Sequence, residues 1–287
     1  MLRARKTAVW IARLGVAALL GLAASAPPAA AQVAPPQTYD CQARITRPQA
    51  VPPARAGNAD AWQCKTPHNA RMSPALHWFR DSLEYCRAAT SAYADATAAA
   101  YRAAVKYGPG GWLVLMDADE TVLDNSLYER EREACDAGFS PATWEAWIKA
   151  GEAGDVPGAA LFTQTVHALG GFVAIVTNRE AVDDRITRRN LRALGIHFDY
   201  ETGLPVGGKS DKVARWRAGV AALAARIHAS PKPVIWVGDQ VTDFPILDAN
   251  GDIVRAMSEK DAGEGIGERF FIIPNPVYGG WTSNPAH

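Results

Sequence analysis

Four short apolar runs punctuate the chain beyond residue 108: Trp112–Met116 (WLVLM), Phe172–Val176 (FVAIV), Val234–Val237 (VIWV) and Phe270–Ile273 (FFII). Each is continuous rather than alternating, as in a strand covered on both faces. Between them lie stretches with helical spacing, about 158–169, 180–194 and 209–228. Strand and helix in alternation predict a parallel sheet with right-handed crossovers, a Rossmann-like α/β fold. Upstream, Ser73-Pro74 marks a capped helix start. The Ala-, Leu- and aromatic-rich stretch from Ala75 to about Lys106 predicts a long helix or a helix pair. Residues 32–72 contain six prolines and little periodicity, and are expected to form an extended arm over the domain at 73–287.

The first 31 residues follow another pattern. Arg3, Arg5 and Lys6 precede an apolar run from about Val16 to Ala24, and Ala29-Ala30-Ala31 precedes Gln32. A basic start, a short apolar centre and small residues at the end predict a secretory signal peptide cleaved near Gln32. The run falls short of the roughly 20 residues of a bilayer span, and no cysteine stands just after it to take a lipid. A periplasmic or secreted protein without a stable membrane anchor is expected.

Removing that segment changes the charge. The whole chain of 287 residues has 30 basic and 30 acidic side chains; residues 32–287 have 26 and 30, a net charge of −4. An acidic surface is poorly suited to nucleic-acid polymers, whose binding is driven by cation–phosphate contacts, whereas a local positive site can still take a small anion. An apolar content of 48% excludes a disordered tail or a fibre. The four cysteines, Cys41, Cys64, Cys86 and Cys135, are an even number in an exported chain and allow three disulfide pairings. None has the short spacing of a zinc site. Cys41–Cys64 is favoured, because it would staple the proline-rich arm.

In parallel sheets ligands bind beyond the carboxyl ends of the strands. The first apolar run ends in Asp117-Ala118-Asp119-Glu120-Thr121, the second in Thr177-Asn178-Arg179, and the third in Gly238-Asp239-Gln240-Val241-Thr242-Asp243. If these strands are neighbours, four aspartates converge on one rim, at a cost that a cation would offset. Ligands that are all oxygen select a hard cation, and Mg²⁺ leaves room for water and a phosphate oxygen. Gly208-Lys209-Ser210-Asp211-Lys212 precedes the third strand, and a lysine there would offset charge beside a bound phosphate. Lys209 reads as an ordinary exposed residue. Trp144 and Trp147 follow Ser140-Pro141, a second capped helix start. For Trp144 a core position and a substrate-facing one weigh alike; for Trp147 core packing is favoured. Gly263-x-Gly265-x-Gly267 follows no convincing strand and reads as a turn. The six histidines form no H-x₃-H pair.

DADETVLDN, VTNR, K-S-x-K and GDQVTDF, in this order on strand ends, resemble the four motifs of the haloacid dehalogenase superfamily, and among them those of the class C (subfamily IIIB) acid phosphatases related to bacterial 5′-nucleotidase lipoproteins. Trp144-x-x-Trp147, Val156-Pro157-Gly158-Ala159 and Asn275-Pro276-Val277-Tyr278-Gly279-Gly280-Trp281 extend the match, which covers roughly residues 74–282; the arm at 32–72 lies outside it. The resemblance implies an Mg²⁺-dependent phosphomonoesterase with a small α-helical cap at about 125–156. It implies Asp117 as nucleophile and Asp119 as acid and base. Thr177 and Lys212 would hold the phosphoryl group, and Asp117, Asp239 and the backbone carbonyl of Asp119 the metal, with Asp243 behind them. Trp144 and Tyr278 would sandwich the leaving group of a small phosphoester such as a nucleoside monophosphate. The alternative is a relative that keeps the fold but only binds or stores a ligand. A phosphoryl-receiver domain is disfavoured by the signal peptide and the chain length.

Overall fold

The computed structural model describes residues 38–47, 49–50, 61–69, 71–261 and 263–285. The expected signal peptide lies outside them. Among the described residues the first element is a short helix, α1 (Cys41–Thr46), whose N-cap Asp40 accepts from the Ala43 N–H. Next come α2 (Pro74–Asp81) and α3 (Leu83–Tyr107). The stretch read as a long helix or a helix pair is therefore a pair. Ser82 makes the break: its backbone is extended, and its hydroxyl caps α3 by accepting from Tyr85 N at 3.0 Å.

Beyond Gly108 the chain enters β1 (Trp112–Met116) and then β2 (Leu123–Asp124), α4 (Ser126–Ala134), α5 (Pro141–Ala150) and β3 (Gly154–Asp155), with β2 and β3 paired antiparallel. The alternation follows with α6 (Ala159–Ala168), β4 (Phe172–Glu180), α7 (Asp184–Ala193), β5 (Tyr200–Leu204), α8 (Val213–Ile227) and β6 (Lys232–Gly238). A small hairpin of β7 (Pro245–Leu247) and β8 (Ile253–Ala256) precedes β9 (Phe270–Ile272). The main sheet has the order β5-β4-β1-β6-β9, and all of its pairings are parallel.

Side chains alternate across this sheet and build a core on each face. Trp112, Val114, Met116, Val173, Ile175, Ile235 and Val237 join the side of α3 and α6. Leu113, Leu115, Ala174, Val176, Trp236 and Phe270 join the side of α8. All are buried, which explains the unbroken apolar runs. Truncating one of the larger ones, such as Trp236, to Ala would cost about 3–5 kcal/mol. The edge strand β5 has no such run: in YETGL the inward positions are Glu201 and Gly203.

The cysteine pairing corrects the expectation. Cys41 bonds Cys86 on α3, and Cys64 bonds Cys135 just beyond α4; Cys41–Cys64 does not form. The arm folds back along α3 and α4, so each disulfide ties arm to domain across 45 or 71 residues of sequence. A disulfide of this kind is worth about 2–4 kcal/mol. Nor is the described part of the arm merely extended. It carries α1, and it sets Trp62, 1% exposed, into the core beside Trp147. Among the described residues no helix is long and apolar enough to cross a membrane.

Candidate active site

The register of the sheet creates the rim. Met116 lies opposite Ile175 on one side and Val237 on the other. Asp117 follows directly on Met116, while Thr177, still inside β4, and Asp239, just after β6, stand one position further along the two neighbouring strands. Asp117 still donates its N–H to the Val237 carbonyl at 3.0 Å, which fixes where its side chain starts. The chain then closes a tight loop. The N–H groups of Val122 and Leu123 both reach the Ala118 carbonyl at 2.9 Å, and Glu120 adopts a left-handed backbone with φ 54°. Ala118 is fully buried under this loop. Tyr93 of α3 braces it by donating its hydroxyl to the Thr121 carbonyl at 2.6 Å.

Two clusters form on the rim. In the first, carboxylate oxygens of Asp117, Asp239 and Asp243 all lie within 4.8 Å of one another. Lys212, buried at the start of α8, donates to Asp117 Oδ1 and to Asp243 Oδ1, each at 2.6 Å. Asn275 donates to Asp239 Oδ2 at 2.8 Å, and the Gln240 N–H to Asp243 Oδ2 at 3.1 Å. Asp243 comes this close because residue 238 is glycine: a Cβ there would stand 2.3 Å from the Asp243 Cβ. Lys209, as read, is exposed.

Three carboxylates crowd around one ammonium that bonds two of them, and the imbalance shows in their proton affinities. Burial, with Asp243 and Asp119 adding to it, pushes Asp117 up to about 7 despite Lys212. Burial and the charges of Asp243 and Asp117 push Asp239 well above the usual carboxylate range. For Lys212 burial acts downward, but Asp117 and Asp243 outweigh it and hold the ammonium charged. An all-oxygen donor set short of positive charge suits a hard divalent cation, so these residues fit a metal site.

In the second cluster Asp119 turns the other way. Arg179, 3% exposed, donates to Asp119 Oδ1 through Nη2 at 2.7 Å and through Nε at 3.0 Å. Asn125 adds a bond from Nδ2 at 2.9 Å. Trp144 is half-buried, with the Arg179 guanidinium 5.7 Å from its ring centroid and Tyr128 edge-on at 5.1 Å. Tyr278 donates its hydroxyl to Glu120, whose carboxyl is buried and pushed well above its usual range by burial and by Asp119. Trp147, in contrast, is fully buried and donates its indole N–H to Asn125 Oδ1 at 2.8 Å. The Thr177 hydroxyl oxygen accepts from Arg179 N at 3.1 Å, and Arg215 bonds the Thr177 carbonyl and Asn178 Oδ1.

Asp117, Asp239, Asp243 and Lys212 thus meet, while Asp119, Trp144 and Tyr278 gather around Arg179 and Glu120. Sequence reasoning gave no role to Arg179, Glu120, Asn125 or Asn275. All four stand inside motifs singled out above, Asn275 in the loop that carries Tyr278. A buried arginine among strand-end acids was the available signal.

The family model of haloacid dehalogenase superfamily subfamily IIIB (acid phosphatase) matches residues 49–281. The second half of the arm thus lies inside the family region, which widens the span of 74–282 read from the motifs. Two solved structures of the class C acid phosphatase from Bacillus anthracis, one a crystal structure with tungstate bound, share this fold. Each superposes with a TM-score of 0.58 at 25% identity, covering 72% of this chain and 84% of that one.

Proposed function

The chain belongs to subfamily IIIB of the haloacid dehalogenase superfamily, the acid phosphatases, and we propose that it is an exported, Mg²⁺-dependent enzyme that hydrolyses small phosphomonoesters through an aspartyl-phosphate. The observation that carries this reading is Lys212 bonded to both Asp117 and Asp243, with Asp239 completing the carboxylate cluster.

In the first step a carboxylate oxygen of Asp117 attacks phosphorus and the bond to the leaving oxygen breaks, while Asp119 gives that oxygen its proton. In the second, water attacks the phosphorus of the aspartyl-phosphate. Asp119 takes a proton from this water, and phosphate and free Asp117 are released. The Lys212 ammonium and the Thr177 hydroxyl hold the phosphoryl oxygens as charge builds on them. Asp117 and Asp239, with the Asp119 carbonyl, would hold Mg²⁺, and Asp243 would keep Lys212 in line. The metal, when bound, supplies a Lewis acid that offsets negative charge on the phosphoryl group.

Helices α4 and α5 act as the small cap over this rim. Trp144 and Tyr278 grip the leaving group between them, which favours flat, ring-bearing groups such as nucleosides over aliphatic ones. Export rests on the basic and apolar pattern of residues 1–31 and on two disulfides, bonds that persist in oxidising compartments. The test is phosphate release from a panel of nucleotides and small phosphoesters, with and without Mg²⁺, from acidic to neutral pH. Mg²⁺-dependent release, fastest on the acidic side, is expected; no release from any phosphomonoester would overturn the reading.

A further inference from the structure

A relay of contacts runs from the arm to Asp119. Asn125 is wholly buried at the N-cap of α4, where it makes no capping bond of its own. Its amide is spent on the site instead. Nδ2 donates to Asp119 Oδ1 at 2.9 Å and to Glu120 Oε2 at 3.3 Å, while its N–H donates to Glu120 Oε1 at 2.9 Å. An amide can point either way, and its acceptor side settles which. Oδ1 receives the Trp147 indole N–H at 2.8 Å and Arg179 Nη2 at 3.2 Å. Indole and guanidinium N–H groups only donate, so Trp147, the shorter of the two contacts, and Arg179 together turn the Asn125 oxygen toward themselves and the amino group toward Asp119.

Trp147 is held in turn by Trp62, which meets its ring edge-on at a centroid distance of 4.7 Å. Trp62 comes from the arm, two residues before Cys64, and Cys64 is bonded to Cys135 at the far end of α4. The Cys64 N–H also donates to Glu131 Oε2 at 2.9 Å, and Glu131 is buried on α4. Both ends of α4 are therefore tied to one contact system, with Asn125 at one end and the disulfide at the other.

We propose that Asn125 and Trp147 are positioning residues for Asp119, and that the arm, through Trp62 and the Cys64–Cys135 disulfide, braces them. This rests on the reading of Asp119 as the acid that protonates the leaving oxygen. A carboxyl held at the wrong angle fails most where the leaving group most needs a proton. An alkyl phosphate needs it; p-nitrophenyl phosphate, with a stable phenolate, hardly does. Merely structural damage would slow both substrates alike.

The test compares kcat/KM on glycerol phosphate and p-nitrophenyl phosphate in the full chain, with both disulfides formed in every variant that keeps its four cysteines. Trp147→Phe keeps a ring in the core but removes the N–H donor. It should lose about three- to tenfold on glycerol phosphate, the scale of one hydrogen bond, and less than about twofold on p-nitrophenyl phosphate. Trp62→Ala and Cys64→Ser/Cys135→Ser should show the same split, and Trp62→Phe should recover most of it. Asp119→Ala is the reference. If it shows no split, Asp119 is not the acid, and both readings fall. If it does, while Trp147→Phe slows both substrates equally or neither, the brace alone is overturned.

Discussion

Asp117 and Asp119 stand two residues apart on one loop, and the fold gives them opposite surroundings. Asp117 faces two other carboxylates and a single lysine, a region short of positive charge. Asp119 faces an arginine and an amide, with two aromatic residues at its margin. The first set can gather a cation and a phosphoryl group; the second can hold one carboxylate at a fixed angle beside a ring-bearing leaving group. Identical side chains thus meet different surroundings because of what the neighbouring elements bring to each.

The largest expected effect comes from breaking the Asp117 side. Asp117→Asn removes the proposed nucleophile and should lower turnover by about 10⁴-fold or more, because nucleophile and electrostatic partners act as a unit. Its thermal unfolding should stay close to that of the parent, and near-parental activity would remove Asp117 from the chemistry. Metal withdrawal tests the same region from outside. Dialysis against a chelator should cost roughly a hundredfold or more on the scale of a lost Lewis acid, and Mg²⁺ should restore the rate. In Asp239→Asn, Mg²⁺ should restore little.

The Asp119 side is sharpened by its aromatic margin. Trp144→Ala or Tyr278→Ala should raise KM for nucleoside monophosphates about five- to a hundredfold, the scale of one stacking contact, with little change for glycerol phosphate. Equal losses on both substrates would make the two residues part of the packing and end the idea of a clamp.

The fold was legible where burial imposes a pattern. Four of the five main strands are continuous apolar runs because both faces are covered. β5 escaped because an edge strand has Glu201 and Gly203 as its inward residues. The acids on the strand ends were equally plain, since residues such as Asp117 and Asp239 have no packing reason to follow apolar runs. What the chain did not disclose are partnerships across long separations. The disulfides join arm to helices, which spacing alone cannot choose, and Arg179 reaches Asp119 across 60 residues. Asn125 stands in the first motif without a role of its own, and only the third dimension turns its amide toward the rim.

The smallest effect supplies a control. Glu129 on α4 is also pushed up, from its usual 4.5 to about 7, by burial with Glu133 adding to it. A carboxyl raised in the folded state contributes stability that is fully present below its unfolded value and lost as pH rises through about 7. Glu129→Gln should therefore leave urea stability unchanged at pH 4 and raise it by about 1–2 kcal/mol at pH 8, allowing for partial exposure. Activity should not change. A loss of activity as large as that of Asp117→Asn would blur the line between raised carboxyls that serve chemistry and those that are merely buried.

The central claim is that Asp117 carries the phosphoryl group during turnover. Enzyme quenched in acid while hydrolysing a phosphomonoester in excess, then digested and analysed by peptide mass, should show one phosphate on the segment containing Asp117. The adduct should be absent from Asp117→Asn and lost on treatment with hydroxylamine, which cleaves acyl phosphates. Phosphate found on a different residue, or rapid turnover with every peptide unmodified under conditions that slow the second step, would contradict the account.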